Sequence, residues 1–225
     1  MILTNKNFPK YEPHKWNTNK FITKSHNCYS YALNLIYKDQ ANLCKRFMNK
    51  TKKQNCSIIK PQPGQNVGII DESNPRVITC EKIVGRMLKD NPFIKQVGRD
   101  EKLPKNYYRI ALFSRSDKLD YHYYRQDCDG MWSHKNGWRK ATNKDNSGRL
   151  IHNPEESDRG KYDILCGYFM VPISQKKKFM SNMTAKYRNI GKNGRVLKSK
   201  NARTIRRIIK SPRRKSYNSI LIDVM

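Results

Sequence analysis

Thiol chemistry on a carbonyl needs a nucleophilic sulfur, a base within hydrogen-bond reach and a third group that holds the base in the right tautomer. Cys28, His122 and His134 supply those residue types. Asn27 reads as a helix N-cap, so Cys28 becomes the first residue inside a helix, where unpaired N–H groups and the positive end of the dipole stabilise a thiolate. His122 follows 94 residues later and His134 another 12, on two segments with strand-like alternation. Paired as a hairpin, they place an imidazole base and a second polar ring on one face. A plainer reading stands beside this one. Free cysteines are mostly small buried residues, and His122 among tyrosines can be a packing residue of a half-buried sheet.

The elements that would position these groups follow from periodicity. Tyr29, Ala32, Leu33, Ile36 and Tyr37 fall at i, i+3, i+4, i+7 and i+8, the stripe of a helix buried on one side. Thr79 to Lys89 predicts a second helix with Ile83, Val84, Met87 and Leu88 on one face. From Tyr107 the period becomes 2, and Tyr108–Ser114, Tyr121–Asp127 and Met131–Lys135 read as a meander of three strands. Cys128-Asp129-Gly130 suits a three-residue hairpin loop with Gly130 in the left-handed position, a register that pairs Asp127 with Met131 and Tyr124 with His134. Leu165 to Val171 is a last strand. Residues 1–24 carry no period and read as an irregular arm packed through Phe21 and Trp16. Residues 38–66, Lys-rich with a Pro61-Gln62-Pro63-Gly64 turn, read as a connection, and Asn143–Gly148 and Asn153–Gly160 as loops.

Composition bounds the partners. The 225 residues hold 47 Lys/Arg against 18 Asp/Glu, a net +29, with 36% apolar residues, below the roughly 45–50% of ordinary globular chains. Residues 174–225 carry 16 Lys/Arg and one acid, Asp223, and residues 1–173 carry 31 against 17, so the tail is +15 and the body +14. Such a field attracts polyanions and says nothing about fold. No stretch reaches the roughly 18–20 apolar residues of a membrane span, and the first residues lack the apolar core of a signal peptide, so an intracellular or virion-associated protein is expected. The six cysteines lack any C-x-x-C pair and are expected to be mostly reduced thiols.

Taken together, His26-Asn27-Cys28-Tyr29-Ser30-Tyr31-Ala32, Asp120-Tyr121-His122-Tyr123-Tyr124-Arg125-Gln126 and Trp132-Ser133-His134-Lys135 resemble the NlpC-type branch of the papain-like cysteine peptidases. They are similar, more closely still, to a poorly characterised group of bacterial and large-DNA-virus proteins. The resemblance covers residues 25–173 and implies an α+β fold, in which a helix carrying Cys28 packs on a small antiparallel sheet, followed by a basic extension. It implies Cys28 as nucleophile, His122 as base and His134 as orienting group, acting on a peptide or amide with no cofactor. The chain departs from the family after the Cys helix, where Pro63-Gly64 lacks the following Asp and stands more than 40 residues before Tyr108. His134 as base, with Asn143 or Asp145 as its orienter, is the alternative arrangement.

Other groups could enter the same site. Tyr11 or the backbone N–H of Cys28 could donate to an oxyanion. His26 is expected to be exposed in the loop before Cys28, or part of the cleft wall, and Trp132 and Trp138 to be core or rim aromatics. Cys28, His26, His122 and His134 are types that bind zinc, but without the close ligand pairs of dedicated sites no metal is expected. In the tail, Lys176, Lys177, Lys178, Arg203, Arg206, Arg207, Lys210, Arg213, Arg214 and Lys215 are expected to bind DNA, RNA or an acidic protein without sequence preference and in a salt-sensitive way. The expectation is a thiol hydrolase, a cysteine peptidase or amidase, with a polyanion-binding tail. The alternative is an inactive basic structural or packaging protein, such as a virion component.

Overall fold

A computed structural model describes residues 6–54, 56, 60–65, 67 and 77–173. The tail cations, Lys176 to Lys215, lie outside the described residues. A six-stranded antiparallel sheet is built from β1 (Lys95–Val97), β2 (Tyr107–Ser114), β3 (Tyr121–Gln126), β4 (Trp132–Lys135), β5 (Ala141–Thr142) and β6 (Ile164–Pro172), in the order β1-β6-β2-β3-β4-β5. Among the described residues five helices accompany it: α1 (Pro13–Asn17), α2 (Lys20–Ser25), α3 (Cys28–Ala32), α4 (Lys38–Thr51) and α5 (Cys80–Asp90). The class is α+β.

The period-2 segments form strands because both faces of the sheet are covered. Tyr108, Ile110 and Leu112 of β2, with Tyr121 and Tyr123 of β3, pack against Tyr29, Leu33, Phe47, Ile83 and Met87 of the helices. Their alternate neighbours Ala111, Phe113 and Tyr124 join Trp132, Ile151 and Tyr168 in a second cluster beneath the loops after β5. A one-residue slip would exchange the two sets. The register is fixed by the hairpin: Gly130 adopts φ 84, Gly130 N–H donates to the Asp127 carbonyl, and Tyr124 faces His134, as the loop length predicts. The last strand, β6, does not extend the meander but lies beside β2.

Three expectations about the helices need correction. The stripe from Tyr29 to Tyr37 belongs to two elements: α3 ends at Ala32 and Asn34 turns left-handed at φ 52. Tyr37 then serves as the N-cap of α4. The Lys-rich stretch after it is no loose connection, because Leu43, Cys44 and Phe47 form a narrow buried seam among exposed cations. The arm expected to be irregular contains α1 and α2, the second capped by Asn19, whose side chain accepts from the N–H groups of Phe21 and Ile22. By contrast α5 lies where its periodicity places it, with Thr79 Oγ1 accepting from Lys82 N–H.

The cysteines also depart from the expectation of reduced thiols. Cys44 in α4 is bonded to Cys56, and Cys80, the first residue of α5, to Cys166 of β6. The second bridge ties the helical layer to the sheet across a separation of 86 residues. Only tertiary proximity makes these pairs, so spacing along the chain carried no sign of them. Cys28 and Cys128 are free.

Candidate active site

Cys28 is placed by a cap and a lock. Asn27 Oδ1 accepts from Ser30 N–H at 3.1 Å, starting α3, and its Nδ2 donates to the Pro61 carbonyl at 2.7 Å. The one side chain thus starts the helix and fastens the 60–65 segment beside it. That segment is held further by Gly64 N–H on Asp90 Oδ2 (2.6 Å) and by Tyr121 Oη on Gln62 Oε1 (2.5 Å). Behind the cysteine, the fully buried Lys135 of β4 donates to the carbonyls of Thr23, His26 and Gly137 at 2.7, 2.7 and 2.8 Å. Three acceptors use all three protons of an ammonium. This occurs although burial, and then the charge of Lys60, push the group's pKa down to about 7.

His122 is the second residue of β3 and lies edge-on to Tyr124. The residue is 2% exposed, its ring stacked on Tyr162 and edge-on to His134, with centroids 5.0 Å away in both cases. His122 Nε2 lies 2.7 Å from His134 Nδ1, and His134 Nε2 lies 2.9 Å from the Lys144 carbonyl. The tautomers follow from the end of this chain. A carbonyl can only accept, so His134 carries its proton on Nε2 and offers the Nδ1 lone pair; His122 therefore donates from Nε2. This leaves His122 Nδ1 with the lone pair that can take a proton. Both rings are neutral at pH 7, since burial drives their pKa values down and His134 adds to the fall at His122.

Cys28 and His122 line one cavity of about 250 Å³, together with Lys60, Gln62, Trp138 and Tyr162 among others. Among the described residues no hydrogen bond joins the thiol to the imidazole. Cys28 Sγ accepts from the backbone N–H of Tyr123, and burial pushes its pKa up to about 12, with the Asp120 charge adding to the rise. The thiolate expected from a helix start is therefore not the resting form. The physical reason is that α3 has five residues, too few for a strong dipole, and Cys28 is only 6% exposed. Desolvation outweighs the helix start.

The remaining sequence candidates fall elsewhere. His26 is fully buried, not exposed: its Nε2 accepts from Tyr37 N–H at 3.0 Å and its Nδ1 lies 3.1 Å from the Ile22 carbonyl. Asn143 contributes its backbone, its carbonyl accepting from Ile151 N–H. Asp145 accepts from the N–H groups of Ser147, Arg149 and Asp158, bonds that hold its pKa down at about 2 and shape the loop under His134. The acceptor on His134 is thus the carbonyl between these two residues. Tyr11 bonds toward Thr142 and Asn143 and is not among the cavity's lining residues. Trp132 is core and Trp138 is half-exposed at the rim. Among the described residues no cluster of three or more His, Cys, Asp or Glu side chains is arranged to hold a metal ion, and no helix is long and apolar enough to cross a membrane. Sequence reading missed Lys60, Gln62 and Tyr162, which reach the cavity through tertiary placement alone.

No family model and no solved structure matches the chain. A local similarity links it to Insoluble matrix shell protein 1 of Ruditapes philippinarum, 48% identical over 52 residues, or 23% of this chain and 35% of that protein. The chain therefore spans about a third of the length of this relative.

Proposed function

We propose that the protein is a thiol hydrolase, a cysteine peptidase or amidase of papain-like ancestry. The observation that carries the reading is the relay ending at His122 Nδ1 in a cavity shared with Cys28. Because thiol and imidazole are both neutral, proton transfer accompanies attack: the Cys28 proton passes to His122 Nδ1 as Sγ bonds to the carbonyl carbon. The relay through His134 supports the imidazolium then formed, and the N–H of Cys28, the first residue of its helix, is the donor for the oxyanion. The C–N bond breaks as His122 returns the proton to the leaving nitrogen. Water then attacks the thioester, gives a proton to His122, and the C–S bond breaks; the thiolate recovers that proton. Substrate must bring sulfur and imidazole together, since free enzymes often hold such pairs loosely. In full-length protein, Cys28→Ala is expected to keep the fold and lose labelling at this position by a neutral chloroacetamide probe, with Cys128 as internal reference. Wild-type protein whose Cys28 labels no faster than its Cys128 would overturn the reading.

A second reading is favoured by the local match to a shell-matrix protein and by the +29 charge: a basic structural or packaging protein that binds nucleic acid or an acidic partner. The two disulfides favour an oxidising compartment or an extracellular particle over a reduced cytosol. This reading predicts binding to DNA and to polyglutamate that falls steeply with salt and with deletion of residues 174–225, and that is indifferent to Cys28→Ala.

A further inference from the structure

Two buried lysines meet near the thiol, and they differ in what their ammonium groups touch. Lys135 has three carbonyl acceptors. Lys60 is 8% exposed and lines the cavity, with its Nζ 4.5 Å from the centroid of the Trp138 ring. Among the described residues this charge has no hydrogen-bond acceptor and no ion-pair partner. An ammonium on a cavity wall with no protein acceptor leaves its N–H groups to whatever enters the cavity, while the cation–π contact holds it over the ring.

The cavity's own carboxylate does not fill the gap. Asp120 accepts from Tyr121 N–H at 2.8 Å and from Tyr162 Oη at 2.9 Å, and it acts on Lys60 only through space. Among the other polar lining groups, Asn27 and Gln62 are engaged by Pro61 and Tyr121. Among the described residues the ammonium therefore faces a cavity of small-molecule size with no protein acceptor committed to it. An anion bound there would also offset the burial that now lowers the Lys60 pKa.

We infer that Lys60, seated on Trp138, is the subsite for a carboxylate of the substrate, so that the cavity selects an amide or ester bearing a carboxylate close to the scissile carbonyl. This rests on the thiol-hydrolase reading for its chemistry, but binding can be tested apart from it. A side-chain carboxylate of an acidic residue and a free α-carboxylate offer Lys60 the same group.

The experiment titrates full-length protein with three small probes: N-acetyl-glutamate α-amide, which has the side-chain carboxylate alone; N-acetyl-glutamine, which has the α-carboxylate alone; and N-acetyl-glutamine amide, which has neither. Trp138 fluorescence reports on the ammonium over its ring, and the Trp138→Phe variant identifies the signal. Binding of either acid, with the uncharged amide silent, supports the subsite and names the carboxylate's source. Lys60→Met is expected to weaken that binding about tenfold or more, the scale of a charged hydrogen bond, and Lys60→Arg to retain much of it. Equal binding of the uncharged amide, binding of none of the three, or an unchanged affinity in Lys60→Met would overturn it. The ratio of Cys28 alkylation rates with iodoacetate and iodoacetamide separates the two claims. A ratio that falls about tenfold in Lys60→Met supports the carboxylate site, a ratio unchanged while both reagents label Cys28 overturns it and leaves the hydrolase standing, and an inert Cys28 beside carboxylate binding overturns the hydrolase alone.

Discussion

Replacing Arg125 with methionine should cost about 3–5 kcal/mol, the range for stranding one partner of a buried ion pair. Both side chains are almost wholly buried, 1% and 0% exposed for Arg125 and Asp127, with Nη2 2.7 Å and Nε 2.8 Å from Asp127 Oδ1. The guanidinium also donates to the Lys10 carbonyl, to Tyr31 Oη and to Asn34 Oδ1 at 3.2, 3.1 and 3.2 Å, so it joins the N-terminal arm and the end of α3 to β3. Methionine fills similar volume but leaves Asp127 with only the Ser133 hydroxyl. Against a total stability of about 5–15 kcal/mol, that loss moves the urea midpoint by about a fifth or more at unchanged slope. The pH dependence supplies a second check. Burial already raises the Asp127 pKa above 3.8 despite Arg125, and removing the cation raises it further. A carboxyl whose folded pKa exceeds its unfolded value binds protons preferentially when folded, so the penalty shrinks as pH falls through the folded pKa. Adding Asp127→Asn should recover part of the loss at neutral pH. A loss below about 1 kcal/mol, or the same loss at every pH and in the double variant, would refute the reasoning.

The buried neutral histidines make stability fall with acid. His26 is held down to about 3, mainly by burial, and His122 and His134 are lowered as well; the unfolded chain takes up protons below about 6.5 while the folded chain does not, so stability is lost as pH drops through that value, by about 1.4 kcal/mol per pH unit for His26 alone. Equilibrium unfolding at pH 7, 6 and 5 checks this, and a flat profile contradicts it. Tyr108→Phe should be neutral or stabilising by up to about 1–3 kcal/mol, because the Tyr108 hydroxyl is buried without a partner among the described residues; a marked loss in thermal unfolding would reveal an unseen acceptor. Chain-entropy reasoning gives about 4–5 kcal/mol for the bridge across 86 residues and about 3 for the bridge across 12. Cys80→Ser/Cys166→Ser should therefore lower the denaturation midpoint more than Cys44→Ser/Cys56→Ser, and the reverse order would contradict the topology.

What was legible in the sequence was what depends on local periodicity and turn chemistry. Tyr108 to Ser114 is buried at every position because both faces of β2 are covered, and the three residues ending in Gly130 set a register that brings His134 beside Tyr124 and, diagonally, beside His122. Helix boundaries were harder. Asn34 can enter the left-handed region at little cost, and it breaks a stripe whose two halves happen to stay in phase. The seam of α4 holds too few apolar residues to show among its lysines. The thiol's protonation state was misread because a helix start is visible in sequence and desolvation is not. Lys60 and Gln62 come from one segment and Tyr162 from another some hundred residues on, and nothing in their spacing foretells a shared cavity.

The most direct test of the account is the pH–rate profile of Cys28 alkylation by iodoacetamide, followed by peptide mass spectrometry with Cys128 as internal reference. If His122 Nδ1 takes the thiol proton during attack, the wild-type rate levels off at neutral pH, far below the thiol's own pKa of about 12. The His122→Ala profile then lacks the plateau and rises about tenfold per pH unit, and His134→Ala lowers the plateau without abolishing it. A wild-type rate that climbs steadily with pH, unchanged by either substitution, would show a buried thiol with no base and contradict the hydrolase.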